Sequence, residues 1–254
     1  MSKVANIGRV LVATCDIQPW EKVVEDFALL TVPTHRAVCL GCLGDVSGCV
    51  VCVRCKWPMC RQECQNAAPH QEECRIFQQS KIAPDIENLD KCQKLYSLVS
   101  VLRVLLLKNA GGIQWEIIKN MLDHKEARYR EEKVVEGVKM TTNFFREKFG
   151  LDWATSENVQ HSSGVLKTNA ICFMDRGGQA LYPIVSLLSH SCVANLELVR
   201  DPAASIIFRA KRKIKKGEEL TIRYTDFLDS RQNIQRKTEG VDVHLPMCKV
   251  FRSN

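Results

Sequence analysis

The chain lacks an apolar run long enough to cross a bilayer. Its greasiest stretch, Leu95 to Leu107, is interrupted by Arg103 and is well short of the roughly 20 residues a membrane helix needs. It opens Met1-Ser2-Lys3 without an apolar signal region, an absence that argues against an oxidising compartment and for a cytoplasmic and/or nuclear one. No internal repeat or low-complexity tract is visible, so repeat architectures are not indicated. The formal charge of +7 is a weak bias towards acidic partners. It is not gathered into an Arg/Lys helix with interleaved aromatics, so direct sequence-specific nucleic-acid readout is not expected. What the 254 residues do hold is 45% apolar content, enough to bury a sizeable core as one elaborate domain or two modest ones.

Cysteine is concentrated between Cys39 and Cys74. The pattern runs C-x2-C at Cys39 and Cys42, C-x2-C at Cys52 and Cys55, C-x3-C at Cys60 and Cys64, then H-x3-C at His70 and Cys74. Short spacings let both members of a pair reach one metal, so each pair is half of a tetrahedral site and the eight ligands fill two zinc sites. An interleaved pairing is expected: Cys39, Cys42, Cys60 and Cys64 on one ion, Cys52, Cys55, His70 and Cys74 on the other. Cys49 is then the spare. With all positions taken by protein, both metals should be structural. The order resembles a MYND finger, with Gly41, the basic residues around Cys55 and Gln71-Glu72-Glu73 fitting the likeness; such a finger implies binding of proline-containing peptides.

Short β-branched runs at Gly8–Ala13 and from Lys22 to Pro33 predict small strands before the finger. Alone they cannot form a domain, so their sheet partners should lie beyond the finger, making it an insertion. Leu95, Leu98, Val99, Leu102, Leu105 and Leu106 recur at helical spacing, with Asp90 as a candidate cap and Gly111-Gly112 as a break. Ile113 to Leu122 and Val134 to Phe149 follow as amphipathic helices, the last closed by Gly150. His124 and Arg128 read as a solvated pair. After Ser162-Ser163-Gly164, strands are expected at Val165-Leu166, 170–173, 205–209 and 219–224, with a turn at Lys215–Glu218. The basic residues between Arg209 and Lys216 read as a solvated edge rather than a nuclear-targeting patch.

A polar cluster, Ser189-His190-Ser191-Cys192-Val193-Ala194-Asn195, follows the apolar turn Ser186-Leu187-Leu188. His190 and Cys192 suggest a nucleophile and base, but no acidic orienter is adjacent in sequence. Together with Gly217-Glu218-Glu219-Leu220-Thr221-Ile222-Arg223-Tyr224, the cluster resembles the two signature motifs of a SET domain. Leu181-Tyr182-Pro183 and Asp226-Phe227-Leu228 extend the likeness. With the finger, it covers most of the chain as a SMYD-type protein, most similar to the arthropod-specific SMYD-like group.

The resemblance implies an α+β fold: small SET-type sheets with a pseudoknot, interrupted by a MYND double-zinc finger and followed by a helical insert. It divides the chain into a split SET segment at 1–36, the finger at 39–74, a helical insert at 75–162, the core SET domain at 163–230 and an atypical tail at 231–254. It implies a protein-lysine methyltransferase acting on histone or non-histone proteins, with S-adenosylmethionine held by Gly8, Arg9, Asn169, Ser186, Ser189 and His190. Tyr224 would face the transferred methyl. Ser189 stands where the family pattern has Asn, Ala194 where it has Pro, and Trp20 where it has Gly. The C-x-C-x2-C cluster that usually closes a third zinc site with Cys192 is missing; after Tyr224 only Cys248 remains. The alternative is a non-catalytic adaptor that uses the finger on a SET-like scaffold.

Overall fold

The computed structural model describes residues 10–34, 36–173, 177–200 and 205–224. Gly8, Arg9, the segment Asp226-Phe227-Leu228 and the tail with Cys248 lie outside the described residues. In chain order the elements are β1 (Lys22–Phe27), β2 (Leu30–Pro33), β3 (Val50–Val51), β4 (Pro58–Met59), α1 (Ala68–Ser80), α2 (Gln93–Ala110), α3 (Ile113–Ile118) and α4 (Lys125–Arg128). There follow α5 (Glu132–Phe149), α6 (Ser156–Asn169), β5 (Ile171–Phe173), β6 (Gly178–Leu181), β7 (Ser189–His190), β8 (Leu196–Arg200), β9 (Ser205–Ala210) and β10 (Thr221–Ile222). The described residues fall into two compact units, one drawn from 1–27 and 183–254 and one from 28–182.

In the first unit, β9 is the middle strand of an antiparallel sheet ordered β1-β9-β8. Its Ile206, Phe208 and Ala210 are buried in alternation, as period-2 patterning requires of a strand with one covered face. β1 runs against it from Lys22↔Arg209 to Phe27↔Ser205. Of the stretch expected as a first strand, the described residues 10–13 make a single bridge, Val12 to Glu219, and further along Ile17 bridges Ile214. The N-terminal residues therefore find their partners beyond the finger, as the isolated short runs demanded. β7 and β10 pair in parallel, Thr221 with Ser189 and Ile222 with His190, which sets the two signature motifs side by side.

In the second unit β6 joins β2 and β5 in an antiparallel sheet, with Leu30 opposite Leu181 and Phe173 opposite Gly178. α2 buries Val99, Leu102 and Leu105 of the predicted stripe and leaves Leu95, Leu98 and Leu106 half-buried, while Tyr96, outside that stripe, is fully buried. The finger has no separate apolar core. Its Trp57 stacks on Phe77 of α1 at 4.4 Å and meets Tyr96 of α2 edge-on at 5.3 Å, so finger and helices share one cluster that also includes Phe145 and Phe149.

The helices correct three sequence readings. Val165-Leu166 is not a strand but lies inside α6, whose Thr155 cap accepts from Asn158 N. Gly164 is read by the fold as a packing residue: a Cβ there would come within 2.6 Å of Asp123 O. α2 begins at Gln93, and the carboxylate engaged near its start is Asp85, which accepts from Glu87 N at the head of the preceding 3-10 turn Ile86–Cys92. Arg128 is not solvated with His124; its guanidinium turns inward to Ser163 Oγ at 3.2 Å.

Candidate functional site

The eight finger ligands assemble into the two sets that interleaving implied. Cys39, Cys42, Cys60 and Cys64 form one, and Cys52, Cys55, His70 and Cys74 the other, with the donor atoms of each set within 4.8 Å of one another. Zinc–sulfur bonds of about 2.3 Å give tetrahedral edges of roughly 3.8 Å. The donors match that edge: Cys42 to Cys60 3.4 Å, Cys60 to Cys64 3.6 Å, Cys52 to Cys74 3.8 Å, and Cys55 Sγ to His70 Nε2 3.5 Å. The residues fit two zinc ions.

Each C-x2-C pair sits on the same backbone knuckle. Leu43 N donates to Cys39 O and Cys39 N to Gly44 O; Lys56 N donates to Cys52 O and Cys52 N to Trp57 O. The residue after each second cysteine, Leu43 or Lys56, takes a positive φ of 60° or 64°. Gly41 is required by close approach, since a Cβ would fall 2.5 Å from Cys64 O. Burial opposes ionisation of Cys52, but the N–H groups of Cys55 and Arg54 and the His70 ring outweigh it and bring the thiol to about 6. The thiolate is the form that ligates zinc.

Behind the second set lies a relay that the sequence reading missed. Glu73, on α1, receives two hydrogen bonds from Arg103 of α2, at 2.9 Å and 2.8 Å. Its Oε1 is also 3.5 Å from His70 Nδ1, an ion-pair distance outside hydrogen-bond geometry. Arg103 continues to Leu40 O and Thr31 O. His70 and Glu73 are fully buried and Arg103 is 4% exposed. A carboxylate behind a ligating histidine fixes the ring's orientation and leaves the other nitrogen for the metal. The signal was available: an arginine within an apolar helical stripe needs a buried carboxylate.

In the first unit Tyr224, Ser189 and His190 are brought together. Tyr224 N donates to His190 Nδ1 at 3.0 Å, the two rings lie 5.1 Å apart, and the phenol donates to Leu188 O at 2.7 Å. With Nδ1 accepting, the neutral imidazole carries its proton on Nε2, which faces Cys192 Sγ at 3.5 Å. Burial raises the Tyr224 pKa, so the phenol is a neutral, positioned group. Ser186 Oγ donates to Pro183 O. Asn169 belongs to the second unit, where its Nδ2 donates to Leu122 O and Val165 O.

Two further residues hold the motif together. Asn195, 2% exposed, accepts from Thr221 N through Oδ1 at 2.9 Å and donates to Glu219 O through Nδ2 at 2.8 Å. The amide thus bridges one motif segment to the other. Asp26 at the end of β1 accepts from Ile184 N at 2.7 Å and Val185 N at 2.9 Å, pinning the turn that leads into Ser186-Leu187-Leu188. Asn195 closes the polar cluster, where nothing in its sequence setting singles it out, and Asp26 carries no sequence signal beyond a charge beside Phe27.

The SET-domain family model matches residues 8–225. SET domain-containing protein SmydA-8, isoform A, of Drosophila melanogaster is 27% identical over 239 residues, covering 87% of this chain and 49% of the fly protein. Histone-lysine N-methyltransferase SMYD3 of Mus musculus is 26% identical over 280 residues, covering 98% of the chain and 59% of the mouse protein. The SET domain of LSMT, solved bound to lysine and AdoHcy, matches 88% of the chain and 50% of its own at 12% identity and TM-score 0.39. The chain spans about half the length of the curated relatives it matches.

Proposed function

Because this chain belongs to the SET-domain family, we propose that it is an S-adenosylmethionine-dependent protein-lysine methyltransferase of the SMYD type, acting in the cytoplasm or nucleus. The observation that carries this reading is the joined motif, in which Tyr224 is fixed by its hydroxyl on Leu188 O and by its N–H on His190. When bound, S-adenosylmethionine supplies an electrophilic methyl group. In-line displacement demands alignment above all, and alignment is what a doubly anchored tyrosine provides. A phenol kept neutral by burial does not take the lysine proton; it orients the amine by hydrogen bonding and by its ring.

The half-buried Ser189, His190 and Ser186 are the proposed cofactor residues of the first unit. Ser189 offers a single hydroxyl donor where the family's amide would reach further. Two zinc ions held by the finger are structural, contributing folding free energy rather than a reacting centre. The finger ligands and their relay are complete, which supports a second reading in which the finger docks proline-containing peptides and the SET scaffold serves as an adaptor.

Isothermal titration with S-adenosylmethionine, followed by mass spectrometry of lysine-containing protein substrates, separates the two. The methyltransferase reading expects cofactor binding, tightened by roughly 1 kcal/mol in Ser189→Asn for one recovered hydrogen bond. No binding by either the parent or the variant leaves only the adaptor.

A further inference from the structure

Trp20 is held where a tryptophan is unfavourable on two counts. Its φ is +67°, a left-handed conformation that glycine takes freely and that crowds the Cβ of any other residue. Its side chain is 63% exposed. The strain is imposed by a closed turn: Trp20 N donates to Ala210 O, Ala210 N donates to Glu21 O, Glu21 N donates to Gln18 O, and Arg209 donates to Trp20 O at 2.9 Å. Backbone strain that survives under an exposed aromatic is a pointer to use at the surface.

The same turn lies against the most basic stretch of the described chain. Between Arg209 and Lys216 six cations and no acid occur, while Ala210 and Ile214 are buried and keep the backbone fixed. Contacts tie the two segments directly: Ile17 bridges Ile214, and Lys216 N donates to Asp16 Oδ1. The arginines are committed, Arg209 to Trp20 O and Arg212 to Glu218 and Lys213 O. Lys213 lies 3.7 Å from Asp16. Lys211, Lys215 and Lys216 are exposed, and no side-chain partner of theirs occurs among the described residues.

We propose that Trp20 and the Lys211–Lys216 turn form a docking surface for single-stranded nucleic acid, read without sequence preference and independent of methyl transfer. Charge complementarity and the exposed ring select the partner. Lysines are point charges that meet phosphates without a fixed fork geometry, and the arginines, whose forks would clamp carboxylate or phosphate bidentately, are here already engaged, so the exposed ring decides between the two. An exposed tryptophan supplies a stacking face that any base can use. One such ring buries too little to hold a bilayer surface.

Fluorescence anisotropy with a labelled oligothymidylate tests this. The intact chain should bind, with a slope of log affinity against log salt of about −2 to −3 for three to four phosphates. Lys211→Glu/Lys215→Glu/Lys216→Glu should abolish binding. Trp20→Gly should weaken it about fivefold or more while raising the melting temperature by about 2–4 °C as the left-handed strain is relieved. That opposed pair of effects separates docking from a structural role. Unchanged affinity in either variant, or preference for polyglutamate or for phosphatidylserine vesicles over the oligonucleotide, would overturn the proposal.

Discussion

In the finger, every metal ligand comes from residues 39–74, whereas the paired motif needs Asp26 from β1, the 184–195 segment and the 218–224 segment. The first is written in short spacings and held by donors that converge on two points. The second is held by single hydrogen bonds between residues separated by up to 159 positions. The difference teaches where each site is vulnerable: the finger fails all at once when a metal is lost, and the motif loosens one contact at a time.

The largest expected effect therefore comes from metal removal. Structural zinc in small modules contributes on the order of 10 kcal/mol per ion. Chelation should unfold the 39–74 segment and expose Trp57, which stacks inside the shared core. Metal analysis should give two zinc ions per chain and Trp57 emission should shift red on chelation; a third ion would place metal beside Cys192.

Next is the relay behind His70. Removing one member of a buried pair typically costs about 3–5 kcal/mol, while replacing both members by apolar groups is often neutral. Glu73→Gln should lower the urea midpoint strongly, because Arg103 keeps its charge and loses its bidentate partner. Glu73→Leu/Arg103→Met should recover much of that loss in the same melts but weaken zinc retention, since His70 then lacks its orienting carboxylate. Equal zinc retention in parent and double variant would show that Glu73 does not orient the ligand.

This contrast also explains what the sequence revealed. Ligand spacing is local, so the finger's two sets were legible before any fold was known. The strands at β1, β2 and β9 were legible from β-branched runs, and their long-range pairing followed because short runs cannot stand alone. Helix α6 was not legible. Its Ser162-Ser163-Gly164 reads as a loop, and only the close approach of Asp123 to Gly164 explains why these small residues sit inside a helix. Asp26 and Asn195 act on backbone groups that carry no residue signature, so no motif could announce them.

A smaller effect is expected at the motif's reacting end. Tyr224→Phe removes the hydroxyl on Leu188 O but leaves the N–H bond to His190. If the transferase reading holds, turnover should fall about tenfold or more, equal to roughly 1.4 kcal/mol in the barrier, with cofactor affinity nearly unchanged. Single-turnover methylation beside calorimetric titration distinguishes this from a loss of fold, which would reduce both.

The smallest effect concerns proton linkage at Asp26. Burial raises its pKa above the ordinary 3.8, outweighing the N–H groups of Val185, Ile184 and Phe27 that pull it down. A carboxyl with a raised folded pKa binds its proton more tightly in the native state, so its stabilising contribution is complete below the unfolded value and is lost as pH rises through the folded one. Asp26→Asn keeps an acceptor for Ile184 N and Val185 N without a charge to desolvate. It should remain within about 1 kcal/mol of the parent at neutral pH, and it should flatten the decline of stability with pH just above 3.8. Asp26→Ala also removes the charge but strands two N–H groups, at a cost of about 1–3 kcal/mol. Urea melts of the three proteins from acid to neutral pH give the comparison. An unchanged slope in Asp26→Asn, or an alanine variant as stable as the asparagine one, would show that the motif does not depend on this carboxylate as the finger depends on its metals.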